Sequence, residues 1–266
     1  MRFLAISVIL AIFVSCNRET NPFDPESGKW IDLTHTFSDQ TIYWPTSDPF
    51  LLDTVSEGVT PAGYYYSAFS FCTAEHGGTH MDAPVHFAAG KQAMDEVPID
   101  RLIGKAIVID VSDKAIPNPD YQISLEDFQN WETSNGPLPP DVIVLIHTGF
   151  GRYWPDPIRY MGTDEKGPEA VAKLHFPGLQ PEAAQWLVDE RKIKAIGLDT
   201  PSIDYGQSKL FESHQILFAD NIPAFENVAN LDQVPTRGTW VFALPMKIDG
   251  GSGGPLRIVA WVPDDV

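Results

Sequence analysis

Residues 76–86 read His-Gly-Gly-Thr-His-Met-Asp-Ala-Pro-Val-His, so three of the chain's seven histidines fall in one short segment. Imidazole nitrogens together with a carboxylate suit Zn, Mn or Fe, whereas calcium prefers oxygen ligands alone. Gly77, Gly78 and Pro84 disfavour one continuous helix, so the ligands would converge from a bent strand-to-loop segment. The alternative, histidines that are merely hydrogen-bonded in the core or at the surface, fits a lone histidine better than this cluster. The segment therefore predicts a metal site.

The composition of the chain limits the class of protein. The 266 residues include 18 Lys and Arg against 36 Asp and Glu, a net charge of −18, with 43% hydrophobic and 20% charged residues. These fractions are ordinary for a soluble globular protein, and the length fits one large domain or two small ones. A chain with this negative net charge is a poor partner for nucleic acids, because their phosphates are negative as well. Two cysteines exclude a disulfide framework and a four-cysteine zinc site.

The first sixteen residues have the pattern of an export signal. Met1-Arg2 is followed by an apolar run over residues 3–14 and then by Ser15 and Cys16. The run is shorter than the ~20 apolar residues that span a bilayer, so it predicts a cleaved signal peptide over residues 1–15. Cys16 resembles the cysteine of a bacterial lipobox, which implies lipid attachment there; a plain signal peptide is the alternative. Residues 17–28 are polar and include Pro22 and Pro25, so we expect a flexible tether over residues 16–28. We expect an exported protein, periplasmic or attached to the membrane only through Cys16.

Residues 29–266 are expected to form one mixed α/β domain. Three short apolar runs are typical of strands buried on both faces, namely residues 106–111, 142–146 and 195–198. Ser124 with Asp127 has the capping-box pattern of a helix start, and Pro181 begins a second, amphipathic helix. The helix that begins at Pro181 runs directly into the predicted strand at residues 195–198, which makes a helix-to-strand unit.

A glycine-rich segment, residues 250–254, lies between two further predicted strands at residues 240–244 and 256–262. It lacks the Gly-Lys-Ser/Thr step into a helix that a phosphate-binding loop requires. We therefore interpret it as a turn between strands.

The spaced pattern His76-x-Gly78-Thr79-His80-x-Asp82-x-Pro84-x-His86 resembles the signature of the cyclase-like metal-dependent hydrolases, a family that includes bacterial kynurenine formamidase and isatin hydrolase. The likeness extends over residues 30–262, with Ile31-Asp-Leu-Thr-His35 near its start and Gly254-Pro-Leu-Arg257 near its end. The resemblance implies a swivelling β/β/α fold with a mixed sheet. It also implies a site for one or two divalent ions, zinc or manganese.

The resemblance further implies five metal ligands, which are His76, His80, Asp82, His214 and Glu226. His214 and Glu226 are twelve residues apart, the spacing that the formamidase pattern needs for its second pair of ligands. Under this interpretation Asp82 reaches both ions and Glu226 bridges them. A histidine on a helix surface and an exposed acid are the alternatives for His214 and Glu226.

His86, the last histidine of the segment, is not among these five predicted ligands. A spare imidazole beside a metal site is suited to move protons, as base towards water and then as acid towards the leaving nitrogen. The resemblance implies the same catalytic role for His86, and it matches Trp44 with a substrate-contacting tryptophan. Packing in the core is the alternative for Trp44.

These expectations favour a metal-dependent hydrolase that cleaves the C–N bond of a formamide or a cyclic amide. The resemblance makes arylformamidase, which converts N-formylkynurenine to kynurenine and formate, the nearest activity. Ring opening of an isatin-like lactam is the alternative, and a non-catalytic metal-binding lipoprotein is the alternative from another class. The resemblance also implies a homo-oligomer, a dimer or a tetramer, acting on a small-molecule amide or lactam.

Overall fold

The computed structural model describes residues 23–264. The predicted signal peptide, the predicted lipid site at Cys16 and the first part of the tether lie outside these residues. The end of the predicted tether lies inside them: the ring centroid of Phe23 is 5.9 Å from that of Trp240 and 5.2 Å from that of Phe242. Among the residues described, no helix is long and apolar enough to cross a membrane.

Strands outnumber helices along residues 23–264. The strands are β1 (Gly28–Asp32), β2 (Leu51–Val59), β3 (Tyr65–Cys72), β4 (His80–Asp82), β5 (Ile103–Asp110), β6 (Gln122–Ile123), β7 (Ile143–His147), β8 (Gly178–Leu179), β9 (Ala195–Leu198), β10 (Ala224–Glu226), β11 (Thr239–Pro245) and β12 (Gly253–Pro263). The helices are α1 (Ile99–Leu102), α2 (Ser112–Ala115), α3 (Leu125–Asn135), α4 (Pro157–Met161), α5 (Pro181–Trp186) and α6 (Glu212–Ala219). A π-helical turn, Leu187–Arg191, extends α5, and 3-10 turns cover Pro84–His86, Phe150–Tyr153, Pro168–Lys173 and Leu231–Gln233.

Eight of the described strands form one mixed sheet in the order β1-β12-β11-β5-β7-β9-β10-β4. The neighbours from β5 to β10 are parallel, and the pairs formed by β1, β12, β11 and β4 are antiparallel. β4, at one end of this order, also pairs with β12. The sheet therefore curves into a barrel-like closure, and the predicted mixed α/β fold is confirmed.

The predicted elements form for the reasons that their sequences suggest. The three apolar runs become β5, β7 and β9, with bounds that differ from the predicted ones by up to three residues. Ser124 caps α3: its backbone N–H donates to Asp127 Oδ2 at 2.7 Å, within a complete capping box. Pro181 begins α5, and the glycine-rich residues turn between β11 and β12.

The middle of the sheet is covered on both faces. In β5, Ile107 and Ile109 belong to a core shared with α3, α5 and α6, whereas Ala106 and Val108 belong to a second core inside the curved sheet. Because successive strand residues point to opposite faces, an all-apolar strand can fill both cores at once. The same alternation occurs in β7. Met81 of β4 and Phe225 of β10 also belong to the second core, which therefore fixes two strands that carry residues of the site described below.

One element stands apart from this packing. β2 and β3 pair only with each other among the described strands, as a hairpin over residues 51–72 that we call the apolar hairpin. Its large apolar side chains are 47–74% exposed: Leu51, Leu52, Val55, Val59, Tyr64, Tyr65, Tyr66, Phe69 and Phe71.

Candidate metal centre

The short strand β4 places two of the predicted ligands where the sheet closes. β4 pairs antiparallel with β10 on one side and with β12 on the other. In the pairing with β10, His80 lies directly opposite Glu226, and opposite residues have Cβ atoms about 5 Å apart. His80 Nε2 is accordingly 3.4 Å from Glu226 Oε2, and both side chains are buried.

Gly78 turns the chain into β4 and orients His80. Its φ of +57° is in the left-handed region, which favours glycine. Its carbonyl oxygen lies 3.0 Å from His80 Nδ1 and accepts a hydrogen bond from Asn227 Nδ2 at 2.7 Å. With Nδ1 held in this way, Nε2 of His80 is the nitrogen turned towards Asp82 and Glu226.

Helix α6 brings His214 to the same place. The carboxylate of Asp204 accepts the backbone N–H groups of Ser213 and His214 at 3.1 and 3.2 Å, so it satisfies amides at the start of the helix. Asp204 Oδ2 is also 2.6 Å from His214 Nδ1. As a result, His214 Nε2 lies 3.2 Å from Glu226 Oε1 and 3.4 Å from Asp82 Oδ2.

The three predicted histidine ligands share one arrangement. In each, one ring nitrogen lies beside a hydrogen-bond acceptor and the other faces a carboxylate. In His76, Nε2 lies 3.0 Å from Ser252 Oγ, and Nδ1 lies 2.8 Å from Asp82 Oδ1. A nitrogen lone pair repels a carboxylate oxygen unless a proton or a cation lies between them. Within the described residues, buried His80 Nε2 has no hydrogen-bond partner, and such an orphaned nitrogen fits a metal ligand.

The donor set fits divalent cations. Two groups of three side chains each have ligating atoms that lie within 4.8 Å of one another. One group is His76, His80 and Asp82, and the other is Asp82, His214 and Glu226. Three imidazoles and two carboxylates are ligands that Zn²⁺ accepts, and other first-row divalent ions share them. The structure thus brings together all five predicted ligands, with Asp82 common to both groups. The bridging role of Glu226 stays a prediction.

Charge and burial oppose each other in this cluster. Burial would raise the pKa of Asp82, but the imidazoles of His76, His214 and His80 around it hold that pKa well below its usual value. Burial and the neighbouring charge of Asp82 raise the pKa of Glu226. Burial would lower the pKa of His80, yet Asp82 and Glu226 raise it to about 9. The two carboxylates therefore stabilise positive charge between them.

His86 lies beside the ligand groups without belonging to either. It ends the 3-10 turn Pro84–His86, and its ring stacks on that of His76 with centroids 3.8 Å apart and planes 17° apart. Burial lowers the pKa of His86 to about 4. The side chain lines the same cavity as the ligands, so a proton carrier at this position would face a bound molecule.

A cavity of about 260 Å³ opens over the cluster. Its wall includes the aromatic side chains of Trp44, Phe87 and Phe211, and the ring centroids of Trp44 and Phe211 are 6.3 Å apart. None of the described residues that line it is lysine or arginine. Trp44, predicted to contact substrate, thus lies on the cavity wall.

Sequence reasoning did not assign the roles of the groups that hold the ligands in place. Asp204 at His214, Ser252 at His76 and Asn227 at Gly78 act through contacts made only after folding. Asp204 precedes its helix by several residues, and Ser252 sits in a segment that we interpreted only as a turn. The local sequence assigns neither role, because Ser252 is far from His76 along the chain and Asp204 reaches His214 only when the loop before α6 folds back onto the helix.

Two known proteins are similar in sequence to this chain. The isatin hydrolase of Roseibium aggregatum is 33% identical over 197 residues, which are 71% of this chain and 72% of that protein. The kynurenine formamidase of Bacillus cereus is 29% identical over 235 residues, 88% of this chain and 98% of that protein.

Solved structures extend the likeness to the fold. Isatin hydrolase A from Labrenzia aggregata, bound to benzyl benzoate, superposes with a TM-score of 0.79 at 31% identity, over 89% of this chain and 94% of that one. An isatin hydrolase bound to the product analogue thioisatinate superposes with a TM-score of 0.80 at 28% identity, over 90% of this chain and 94% of that one. The family described as putative cyclase matches residues 31–205. Because these residues are more than half of the chain and carry its central motif, the chain belongs to the cyclase family.

Proposed function

We propose that this chain is a metal-dependent hydrolase that cleaves the C–N bond of an aromatic amide. The observation that carries the proposal is the pair of ligand groups that share Asp82 in a cavity partly lined by aromatic rings, with His86 beside them and outside both groups. The likeness to isatin hydrolase and to kynurenine formamidase supports the same reaction class.

The chain's own residues supply the metal site and the proton path. His76, His80 and Asp82 would hold one ion, and Asp82, His214 and Glu226 a second. Divalent ions held there lower the pKa of water and polarise an amide carbonyl. His86 would accept the proton that water loses on attacking the carbonyl carbon, then return a proton to the nitrogen as the C–N bond breaks.

The cavity wall favours an uncharged aromatic substrate. Trp44, Phe87 and Phe211 offer ring faces to a flat molecule. N-formylkynurenine carries an ionised amino-acid group, and its carboxylate would lose hydration in a cavity whose described lining offers no lysine or arginine. This observation favours an isatin-like lactam as the substrate. An arylformamidase activity is the second candidate, supported by similarity to the formamidase over nearly its whole length.

The test compares three amides on the zinc-loaded and the manganese-loaded protein. Isatin is a fused lactam, formanilide is an aryl formamide without an amino-acid group, and N-formylkynurenine has that group. We expect turnover of isatin, lower kcat/KM with formanilide, and the lowest with N-formylkynurenine. Metal binding without turnover of any amide would instead favour the non-catalytic metal-binding lipoprotein.

Zinc is the proposed ion, with manganese as the alternative. Neutral imidazole and carboxylate ligands in a buried site are typical of zinc. Metal content after purification without added metal, measured by mass spectrometry, tests this choice, and manganese in place of zinc would contradict it.

We also infer an exported protein attached to the membrane through Cys16. The basic start, the apolar run and the lipobox-like cysteine support this proposal. Radiolabelled palmitate should enter the wild-type protein and not the Cys16→Ser variant. Retention of uncleaved residues 1–15 in the soluble fraction would contradict it.

The proposed homo-oligomer would use the apolar hairpin. A two-stranded hairpin is marginal in water by itself, and its nine half-exposed large side chains offer roughly 900 Å² at about 100 Å² each. One partner of a standard interface contributes about 800 Å². Asp53 and Glu57 are its only charged residues, so a second copy could cover an identical ribbon and bury little charge.

A further inference from the structure

The glycine-rich turn between β11 and β12 lies against a predicted metal ligand. Residues 250–254 read Gly-Gly-Ser-Gly-Gly. A Cβ on Gly253 would overlap the ring of His76, and one on Gly251 would come within 2.8 Å of Glu75 Oε1. Because both positions are glycines, the turn can pack closely against Glu75 and His76.

Ser252, in the middle of this turn, connects Glu75 to His76. Its hydroxyl and its backbone N–H both donate to Glu75 Oε2, at 2.6 and 3.1 Å. The single hydroxyl hydrogen is thus used, so Ser252 Oγ can only accept from His76 Nε2, 3.0 Å away. This leaves Nδ1 of His76 without a hydrogen, 2.8 Å from Asp82 Oδ1.

We propose that Glu75 and Ser252 are positioning residues that fix the tautomer of His76, so that Nδ1 is presented to the cation shared with His80 and Asp82. The proposal rests on the proposed metal-dependent function. In this proposal Ser252 orients the ring of His76 as the Gly78 carbonyl orients the ring of His80. Because His86 stacks on His76, the same contacts also hold the proposed proton carrier in its place.

The order of contacts Ser252, His76, Asp82 is also that of a serine-hydrolase triad. The structure opposes that interpretation in two ways. Ser252 is absent from the described residues that line the cavity, so a substrate there does not face its hydroxyl. Its turn joins two strands, whereas a serine nucleophile in a Gly-x-Ser-x-Gly segment sits between a strand and a helix.

The experiment measures metal affinity and the proton position on His76 in the full chain. Ser252→Ala removes the acceptor of Nε2–H, and Glu75→Gln replaces the group that takes the hydroxyl hydrogen. Asp95→Asn is the matched control, because Asp95 Oδ1 accepts the Gly250 N–H at 2.9 Å in the same turn without touching His76. Zn²⁺ affinity is measured by competition with a chelator, and the tautomer by ¹⁵N NMR of labelled histidines in the zinc-loaded protein.

We expect Ser252→Ala to weaken Zn²⁺ binding about ten- to a hundredfold, the range typical of partners that orient metal ligands, and Glu75→Gln to weaken it less. Asp95→Asn should bind Zn²⁺ as the wild type does. In the wild type, His76 should carry its hydrogen on Nε2 and bind zinc through Nδ1. The two turn variants should instead show a mixture of His76 bound through Nδ1 and through Nε2, while circular dichroism stays native.

Unchanged Zn²⁺ affinity and an unchanged His76 tautomer in folded Ser252→Ala would overturn the proposal and leave the proposed function intact. Equal weakening in Asp95→Asn would reduce Ser252 to a structural role and overturn it as well. Labelling of Ser252 by a fluorophosphonate would overturn it in favour of a serine nucleophile. Failure of the wild type itself to bind either Zn²⁺ or Mn²⁺ would overturn the proposed function.

Discussion

Asp82 belongs to both candidate ligand groups, so its loss should affect every bound ion. In Asp82→Ala, each group keeps two ligands and loses an anion. We expect the metal content to fall from one or two ions per chain towards none, measured by mass spectrometry of the metal-loaded, desalted protein. Asp120→Ala is the matched control, because that exposed carboxylate pairs with His175 away from the cavity. Wild-type stoichiometry in folded Asp82→Ala would contradict the shared role.

His86 should behave in the opposite way. Its ring is outside both ligand groups, so His86→Ala should keep the metal content and lower kcat about 10²–10⁴-fold, the usual contribution of a positioned acid–base group. His175→Ala removes a half-exposed histidine outside the cavity lining and should leave both quantities unchanged. Loss of metal in parallel with activity would show that His86 is a ligand.

The sequence predicts the ligands better than it predicts the groups that orient them. His76, His80 and Asp82 occur in one segment, so their chemistry is visible without a fold. Ser252 reaches His76 across 176 positions of sequence, through the pairing of β12 with β4. Since such a contact depends on strand register, neither composition nor spacing reveals it.

Helix α3 offers a pH-dependent test of stability at Asp127, the third helical residue of its capping box. Burial would raise the pKa of Asp127, but hydrogen bonds from Lys114, the Ser124 backbone and Tyr121 hold it below the usual value. A carboxylate of this kind stabilises the fold above the unfolded pKa of about 3.9, and the stabilisation is lost as the pH falls through the folded pKa.

Replacement of this residue should therefore cost stability mainly at neutral pH. We expect Asp127→Asn to lower the free energy of unfolding by about 1–3 kcal/mol at pH 7, with a smaller difference from the wild type below about pH 4, measured by urea denaturation. Exposed Glu126, in the same helical turn, provides the control Glu126→Gln, which should change stability by less than about 0.5 kcal/mol. A difference for Asp127→Asn that is constant with pH would contradict the assigned ionisation.

The sequence predicted the strands that are apolar along their length, but not the strand that carries metal ligands. β5, β7 and β9 are apolar on both faces, so their sequences alone identify them. β4 holds His80 and Asp82 and has only three residues, which no strand pattern matches. It forms because β10 and β12 supply partners on both sides.

In the whole molecule, the exposed apolar hairpin is the surface on which assembly of two copies can be tested. Phe69 and Phe71 lie on one face of β3, and two charges there would oppose burial against a second copy. We expect the wild type to be a dimer or larger by light scattering, and the double variant Phe69→Asp, Phe71→Asp to be monomeric. Ile158→Asp, at a comparably exposed position of α4, should keep the wild-type mass. A monomeric wild type, or one that sediments with lipid vesicles through this hairpin, would contradict assembly of two copies.

The closure of the sheet was beyond sequence reasoning. The pairing of β4 with both β10 and β12 joins the ends of the strand order, and it brings His80 opposite Glu226. The family resemblance implied that these residues meet. The physical reason, one short strand held from two sides, became visible only in the fold.

The central claim is that the five ligands hold cations between them, and anomalous diffraction from crystals of the zinc-loaded protein tests it most directly. We expect a zinc peak about 2.0–2.2 Å from His80 Nε2, His76 Nδ1 and a carboxylate oxygen of Asp82, and at full occupancy a second peak beside His214 Nε2 and Glu226. Zinc peaks elsewhere on the molecule, with none between these side chains, would contradict the account.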